Sequence, residues 1–317
     1  MTKAAVFTAN DSPLELMDLN LMDPQAGEVR IALGASGVCH SDISVINGTL
    51  PIAPPAVLGH EGAGTVVAVG EGVTNVAVGD HVVISWVPQC GTCYTCSRGQ
   101  GELCETGANA SMFGSMLDFT SRFSMADGTA VAQMSASGTF SEETVVPAIS
   151  VVKIPNDMPF SVAALIGCGV LTGFGAAYNT ANIREGDNVV VIGAGGVGLN
   201  TIQGAKYQKA GKIIAIDMMA GKLDNAKSVG ATDIIDASQT DAAAAVTDAL
   251  GGQIAFASVD LTSAHELIKA GRMSGLAVTS AKRVAVAPDI PTMGEAGFPG
   301  FEAAPYLGLF APAGTPE

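Results

Sequence analysis

A short apolar strand followed at once by a glycine-rich turn constrains the fold of this chain more than any other stretch. Residues 188–192 read NVVVI, a β-branched run typical of a buried parallel strand. The turn that follows directly is formed by Gly193, Ala194, Gly195, Gly196, Val197 and Gly198. A helix-compatible stretch at 199–211 then leads to a second strand-like run at 212–216, which ends in Asp217. A glycine triplet alone is weak evidence, but this whole succession predicts a doubly wound α/β domain that binds a dinucleotide.

Each part of this segment has a physical role in such a site. The glycines permit a tight turn and a close approach of the backbone to a pyrophosphate, which sits at the N-terminus of the following helix. Asp217 can accept hydrogen bonds from ribose hydroxyls and would repel a 2′-phosphate, so the sequence favours NAD over NADP. The alternative interpretation of Asp217 is a cap at the end of a strand.

Composition limits the other possibilities. A chain of 317 residues has room for about two domains. With 48% hydrophobic and 14% charged residues, it has ample material for cores. The N-terminal residues lack a basic region followed by an apolar run, and we see no apolar stretch of the ~18 residues a membrane span needs. We therefore expect a cytoplasmic protein. A net charge of −15 argues against nucleic acid or an anionic membrane as partner.

Four of the six cysteines fall within fifteen residues, CGTCYTCSRGQGELC, at 90–104. They are Cys90, Cys93, Cys96 and Cys104. Two-residue gaps let a tight turn aim successive sulfurs at one point, and four thiolates complete a tetrahedral Zn²⁺ shell. A closed shell of this kind indicates a structural zinc site. The alternatives are an iron–sulfur site or a cysteine-rich loop without metal.

The two remaining cysteines and one histidine lie in separate segments. They are Cys39 in GVCHSD, His60 in LGHEG and Cys168 in IGCGVLTG. Taken singly, each has an ordinary structural interpretation as a buried thiol or a hydrogen-bonded imidazole. Together they could form the three-ligand set of a catalytic zinc, whose fourth position is left for water or substrate. Spacing alone does not prove this.

These motifs carry a family resemblance. In order along the chain they are GVCHSD, GHEGAGTVVAVGEGV, GDHVV, CGTCYTCSRGQGELC, GCGVLTGFGAA and VIGAGGVG. Over about residues 1–250 the sequence resembles the zinc-dependent alcohol dehydrogenases of the medium-chain dehydrogenase/reductase superfamily, nearest the class III-like branch. The resemblance implies a GroES-like, β-rich catalytic domain at 1–153 with a structural-zinc lobe at about 86–108. A Rossmann coenzyme domain, represented by its first half, would occupy residues 154–250.

The resemblance also implies roles for single residues. Cys39, His60 and Cys168 would hold the catalytic zinc, with Glu61 just behind it and Asp42 as a neighbour of the site. Ser41 matches the hydroxyl that starts a proton relay, but Ser44 stands where several family members place a histidine of that relay. The residues that match coenzyme contacts are His40 at the pyrophosphate and Thr172, Val197 and Lys222 at the nicotinamide or the adenosine ribose.

Three further residues receive weaker assignments. Trp86 occupies a position usually filled by an aromatic residue of the substrate pocket, and plain core filling is an equal alternative. His81 reads as structural, and His265 receives no role.

The last part of the chain changes character near residue 250. Residues 251–317 resemble a fragment of the substrate-binding proteins of tripartite tricarboxylate transporters, through AGRMSGLAVTSAKR, PDIPTMGEAG and GLFAPAGTPE. Strand-like runs at 254–259 and 276–279 flank a helix-like run at 264–271, a rhythm that could add two parallel strands to the coenzyme sheet. From Pro288 onward the many prolines and glycines predict irregular chain.

The expected function is therefore interconversion of a small-molecule alcohol with an aldehyde or ketone, using NAD(H) and two zinc ions per chain. The first alternative is a folded zinc- and nucleotide-binding remnant with little activity, since the C-terminal dehydrogenase segment is replaced. A weaker alternative is a carboxylate-binding protein, against which the lack of an export signal and of most of that fold counts. A homo-oligomer is possible but doubtful, because the edge through which the family often dimerises is replaced.

Overall fold

A computed structural model describes residues 1–250 and short stretches beyond them. These stretches are 257–259, 268, 274–278, 282–284, 287–292, 295 and 308–311. The chain divides into two compact units, Met1–Leu171 and Thr172–Glu317.

The first unit is rich in β-structure. Its strands are β1 Thr2–Phe7, β2 Glu15–Leu21, β3 Glu28–Gly37, β4 Ala56–Val57, β5 Glu61–Val69, β6 His81–Ile84, β7 Phe123–Ser124, β8 Ala130–Gln133, β9 Glu143–Pro147 and β10 Val151–Lys153. A closed barrel has the order β1-β2-β7-β8-β4, and a five-stranded sheet has the order β10-β6-β5-β3-β9. In the sheet, Val29 and Ile31 of β3 are fully buried against Val66 of β5. Alternation along β3 thus places one face in a core, as a half-buried antiparallel strand requires.

Helices of the first unit lie at the ends of these strands. They are α1 His40–Ile46, α2 Glu105–Phe113 and α3 Phe160–Leu165. A π-helical turn at Ile166–Val170 continues α3 into α4 Leu171–Gly175 and a second π-turn at Ala176–Thr180.

The continuous helix from Phe160 to Thr180 is long and apolar enough to cross a membrane, by length and composition only. The expectation from sequence that no apolar stretch is long enough for a membrane span is therefore wrong here. Polar residues such as Ser161 and Thr172 interrupt the run, but its average hydropathy is still high enough. One such helix is weak evidence, since core helices pass the same test. Its N-terminal part packs Ala163 and Ala164 in a core with Val83, and 33% of the apolar window is buried.

The second unit contains the predicted strand–helix alternation. Its elements to residue 250 are β11 Asn188–Ile192, α5 Gly196–Tyr207, β12 Lys212–Asp217, α6 Ala220–Val229, β13 Asp233–Asp236 and α7 Ala242–Ala249. The three strands are parallel, in the order β11-β12-β13. The first strand agrees with its predicted bounds, and β12 extends one residue beyond its predicted end, to Asp217.

Strands beyond residue 250 do not extend this parallel sheet. The strands β14 Ala257–Val259, β15 Ser274–Val278 and β16 Gly308–Ala311 form a separate antiparallel sheet of order β14-β16-β15. Of the two arrangements that the sequence left open, the structure thus has the separate one, because both candidate strands pair with a strand in the proline-rich tail. That tail was predicted to be irregular, and the four residues GLFA between Pro305 and Pro312 were missed. Apart from residue 268, which is helical, the predicted helix at 264–271 lies outside the described residues.

A buried ionic network holds the barrel region of the first unit together. Arg122 is only 1% exposed, and its guanidinium donates two hydrogen bonds to Glu28, of 2.9 and 2.5 Å. It also donates to Asp118 at 2.8 Å and to the Thr120 hydroxyl at 2.6 Å. Fork geometry against a carboxylate satisfies a buried cation that would otherwise be costly.

We expect an Arg122→Met variant to lose about 3–5 kcal/mol of unfolding free energy, because Glu28 would stay buried without its cation. Urea denaturation of the full chain measures this. The matched double variant Arg122→Met, Glu28→Gln should recover a large part of the loss. A change below about 1 kcal/mol in the single variant would contradict the assignment of this network.

Candidate functional site

Cys39 is placed by the connection from β3 into α1. It is the residue immediately before the helix, in an extended conformation, and its N–H donates to Oδ2 of Asp42 at 2.8 Å. Oδ1 of the same carboxylate accepts the N–H of Gly59 at 3.1 Å. Asp42, which is 1% exposed, therefore fixes two separate segments, the one that carries Cys39 and the one that leads to His60.

His60 is held on the other side of Asp42. Its ring is buried, and Nδ1 lies 3.3 Å from Oδ1 of Asp42 without forming a regular hydrogen bond to it or to any other described group. Metal-binding histidines usually direct one ring nitrogen to a carboxylate and use the other as ligand. With Nδ1 directed at Asp42, Nε2 is the nitrogen left for a metal.

Cys168 reaches the same point from the π-helical turn Ile166–Val170. A Cβ on Gly167 would lie 2.0 Å from the carbonyl oxygen of Ile84, so glycine is required for the helix to pass this close to β6. The N–H of Gly169 donates to Oε1 of Glu61 at 3.3 Å. Glu61 is thereby fixed beside the turn that carries Cys168.

These four residues form one cluster. A ligand atom from each of Cys39, His60, Glu61 and Cys168 lies within 4.8 Å of the others. Two sulfurs and one imidazole are the donor set of a zinc site with an open position, and the carboxylate stands behind them. The structure thus brings together all four residues that the sequence assigned to the catalytic metal.

The electrostatics of the cluster fit a dication. Burial raises the pKa of the Cys168 thiol, while burial at Cys39 is outweighed by hydrogen bonds from Ser41 and by His60, so the pKa of Cys39 is lowered. Burial disfavours the charged form of His60, but Asp42 and Cys168 raise its pKa to about 11. Zinc binds deprotonated cysteines and a neutral imidazole, so metal uptake at this cluster would release protons.

A second cluster lies in the loop 90–104 and the start of α2. The sulfurs of Cys90, Cys93, Cys96 and Cys104 lie within 4.8 Å of one another. All six cysteines of the chain are free thiols. N–H groups point at these sulfurs: those of Thr92 and Cys93 lower the pKa of Cys90 to about 5. Desolvation raises the pKa of Cys96 to about 12, with Cys93 adding to it. A closed four-sulfur set of this kind fits a structural zinc ion.

Trp86 stands next to the first cluster. Its ring centroid lies 6.3 Å from that of His60 in an edge-on arrangement, and the side chain is 37% exposed. Partial exposure beside a buried histidine suits the wall of a cavity better than core filling. His81 instead packs its ring against Phe160 at 4.6 Å, in agreement with a structural role.

The glycine turn of the second unit has the geometry of a phosphate cradle. Gly193 adopts a φ of +90°, and a Cβ on Gly198 would lie 1.8 Å from the carbonyl oxygen of Gly193. By contrast, a Cβ on Gly195 or Gly196 would meet nothing within 4 Å. The turn itself therefore requires glycine at 193 and 198. Gly195 and Gly196 leave open space at the N-terminus of α5, where a pyrophosphate fits.

Asp217 borders this turn. Its Oδ2 accepts the N–H of Ala194 at 2.9 Å, its Oδ1 accepts the N–H of Met219 at 3.0 Å, and Lys222 Nζ lies 3.9 Å away. Burial opposes ionisation of Asp217, but these amides and Lys222 lower its pKa below the usual value. The carboxylate is thus ionised and fixed at the carboxyl end of β12.

The remaining predicted contacts are accessible. Val197 is 46% exposed, and Thr172 and His40 are exposed at the surface of their helices. That Asp42 accepts hydrogen bonds from both ligand segments was not predicted from the sequence. A carboxylate three residues after the residue that precedes a helix, as Asp42 is after Cys39, is nevertheless a known capping arrangement. The hydrogen bond from Ala194 to Asp217 was not predicted either.

Comparison with known proteins gives the family. The family model of the alcohol dehydrogenase GroES-like domain matches residues 25–156. The NDMA-dependent alcohol dehydrogenase of Amycolatopsis methanolica is 44% identical over 254 residues, covering 80% of this chain and 68% of that protein. The chain belongs to the zinc-dependent alcohol dehydrogenase family.

Other members agree with this assignment. The class-3 alcohol dehydrogenase of Cereibacter sphaeroides is 44% identical over 76% of this chain and 64% of its own length. The crystal structure of benzyl alcohol dehydrogenase from Acinetobacter calcoaceticus has a TM-score of 0.75 and 33% identity, over 80% of this chain and 68% of that one. These alcohol dehydrogenases confirm the GroES-like and Rossmann fold predicted from the motifs. The chain spans 64% and 68% of the length of the two curated relatives, from Cereibacter sphaeroides and Amycolatopsis methanolica respectively.

The C-terminal resemblance is confirmed as well. The family model of the tripartite tricarboxylate transporter receptors matches residues 205–317. Its match begins within α5, well before residue 251, where the sequence alone placed the change. The 254-residue match to the dehydrogenase of Amycolatopsis methanolica and the match to the receptor family therefore overlap along the chain.

Proposed function

We propose that this chain is an NAD-dependent, zinc-containing alcohol dehydrogenase that interconverts a small-molecule alcohol with an aldehyde or ketone. The observation that carries the proposal is the convergence of Cys39, His60 and Cys168, with Glu61 behind them, within 4.8 Å. These ligands come from three distant segments, and Asp42 fixes two of those segments. So many precisely held donors support a metal site that binds substrate.

The residues divide the chemistry among them. When bound, zinc supplies Lewis-acid polarisation of the substrate oxygen and NAD accepts the hydride. Cys39, His60 and Cys168 would hold the metal, and the partly exposed ring of Trp86 would exclude water from one side of the substrate. Ser41 would accept the substrate's hydroxyl proton at Oγ, which lies 3.7 Å from Sγ of Cys39. Ser44 has no imidazole, so the proton would leave this hydroxyl through water.

Coenzyme binding would use the glycine turn and its acidic neighbour. The backbone of Gly193–Gly198 would take the pyrophosphate, and Asp217 would take the ribose hydroxyls, with Lys222 beside it. Thr172 and Val197 would face the coenzyme, and His40 would face its pyrophosphate. The ionised state of Asp217 favours NAD, because a 2′-phosphate would meet a fixed negative charge.

An Asp217→Ser variant tests this preference. Loss of charged hydrogen-bond acceptors should raise the Kd for NAD by roughly 10- to 100-fold, from about 1.5–3 kcal/mol per bond. Binding of NADP should at the same time improve relative to NAD. Titration calorimetry with both coenzymes gives the two values. Unchanged NAD binding, or equal binding of both coenzymes by the unaltered protein, would show that Asp217 only caps its strand.

One observation favours the alternative of a zinc- and nucleotide-binding remnant with little activity. Among the described residues the parallel sheet has three strands, and β14, β15 and β16 form a separate sheet. A doubly wound dinucleotide domain has two halves, and the second carries part of the site. In this alternative the chain binds both zinc ions and the adenosine part of NAD, but transfers hydride poorly.

Partners and location follow as further parts of the proposal. The substrate is a small molecule, and a net charge of −15 disfavours nucleic acid or an anionic membrane. We propose a cytoplasmic location. The separate sheet of β14, β15 and β16 argues against a family-type homo-oligomer formed through an extended edge of the parallel sheet.

The deciding experiment follows the near-ultraviolet absorbance of reduced nicotinamide with zinc-loaded full-length chain and a panel of primary and secondary alcohols. The panel includes benzyl alcohol and S-(hydroxymethyl)glutathione, the substrates named for two relatives. Zinc-dependent turnover with NAD supports the proposed enzyme. Two bound zinc ions with NAD binding but no turnover would support the remnant, and a chain that binds neither would overturn both.

A further inference from the structure

Two methionines lie open to solvent at the carboxyl end of β12. Met218 is 71% and Met219 58% exposed, directly after a strand whose residues Ile213–Ile216 are buried. Scattered exposed apolar residues are ordinary. Two adjacent large ones at the end of a buried parallel strand are placed where ligands of open α/β sheets bind.

Hydrogen bonds tie this pair to the proposed coenzyme site. The N–H of Met219 donates to Oδ1 of Asp217, and the other oxygen of that carboxylate accepts from Ala194 in the glycine turn. The methionines and the turn therefore lie on two sides of one carboxylate. With the adenosine ribose held by that carboxylate, the base on the same sugar would be next to the residues that follow Asp217.

The chemistry of methionine adds a consequence. A thioether contacts an aromatic ring favourably, by about 0.3–1.5 kcal/mol. Oxidation to the sulfoxide makes the same side chain polar and removes this apolar surface. The reaction is balanced with a peroxide: the O–O bond breaks, one oxygen is transferred to sulfur, which loses two electrons, and hydrogen peroxide becomes water.

We propose that Met218 and Met219 form an oxidation-sensitive surface under the adenine, so that peroxide-class oxidants weaken coenzyme binding by converting these thioethers to sulfoxides. The inference rests on the proposed function, because it needs a coenzyme at this site. It assigns a modification site to residues that neither hold metal nor touch the reacting atoms.

The thiols are the main competing targets, and the experiment separates them. Full-length, zinc-loaded protein is treated with hydrogen peroxide and then with a thiol reductant, which reverses sulfenic acids and disulfides but leaves methionine sulfoxides. Zinc content is checked, sulfoxides are located by peptide mass spectrometry, and the Kd for NAD is measured by calorimetry before and after treatment.

We expect treatment to raise the Kd for NAD by roughly tenfold, as the loss of two thioether–ring contacts implies. Methionine sulfoxide reductase should restore the original value. In a Met218→Leu, Met219→Leu variant the ratio of treated to untreated Kd should stay near unity, whatever its starting affinity. A matched control, Met22→Leu with Met112→Leu, removes two other exposed methionines and should keep the full response.

Three outcomes would overturn the inference. Sulfoxides at both positions with an unchanged Kd would do so, and so would equal loss of affinity in the leucine variant. In either case the proposed function would stand, because the untreated protein binds NAD. Untreated protein that binds no NAD would overturn the proposed function and this inference with it.

Discussion

A Cys39→Ser variant will keep its fold and lose zinc-dependent hydride transfer. A serine hydroxyl binds zinc poorly at neutral pH, yet it fits the position before α1, where serine is a favoured capping residue. Asp42 will still accept the N–H of residue 39, since that bond uses the backbone. The change therefore removes one metal ligand and little else.

The expected loss in kcat/KM is roughly 10³-fold, corresponding to the several kcal/mol that a Lewis-acid metal supplies in the transition state. Zinc content should fall from two ions to one per chain, with the melting temperature changed little. The control is Ile43→Ala, which trims an exposed side chain of the same helix without touching a ligand. Turnover that survives in Cys39→Ser with one zinc lost would mean that the chemistry occurs elsewhere.

A Cys104→Ser variant will lose stability instead. Cys104 is 1% exposed, its Sγ accepts the N–H groups of Cys90 and Gly107, and it precedes α2 as its cap. Serine can replace the cap but not the thiolate. A Cys104→Ala variant loses both the helix cap and the metal ligand. The difference in stability between the serine and alanine variants therefore measures the contribution of the cap alone.

Structural zinc contributes about 10–16 kcal/mol in isolated zinc-finger peptides. In a lobe of a larger unit, loss of the metal partly unfolds only residues 90–104. The free energy of unfolding of the whole unit therefore falls by less than the full zinc contribution. We therefore expect a fall of about 10 °C in the melting temperature of the first unit, equivalent to about 3–5 kcal/mol for a cooperative unit of the size of Met1–Leu171. Differential scanning calorimetry measures it. The control Ser97→Ala, in the same lobe, should change the free energy of unfolding by less than about 0.5 kcal/mol. A Cys104→Ser variant as stable as the unaltered protein would contradict a structural zinc ion at this cluster.

Much of the second unit could be predicted from local sequence. The run NVVVI, the glycine turn and Asp217 each have a preference that agrees with the fold, so β11, α5 and β12 appear nearly where expected. The separate sheet of β14, β15 and β16 could not be predicted, because strand partners are set by long-range pairing. The short strand β16 lies among prolines that indicate a turn.

The metal clusters show the same division. The spacing of Cys90, Cys93 and Cys96 is local, so a turn can be inferred directly from it. Cys39, His60 and Cys168 are far apart, and only the family resemblance gathered them before the structure did. The carboxylate of Asp42 accepts hydrogen bonds from the N–H groups of Cys39 and Gly59 because their two segments lie close together. No local sequence pattern specifies that proximity.

X-ray absorption at the zinc edge of the zinc-saturated chain tests the central claim most directly. Six thiolates shared between two ions, four at one and two at the other, predict two zinc per chain. The average first shell should then hold three sulfurs at about 2.3 Å and one nitrogen or oxygen at about 2.0–2.1 Å. A single zinc ion per chain, or a shell made mainly of nitrogen and oxygen, would contradict the account.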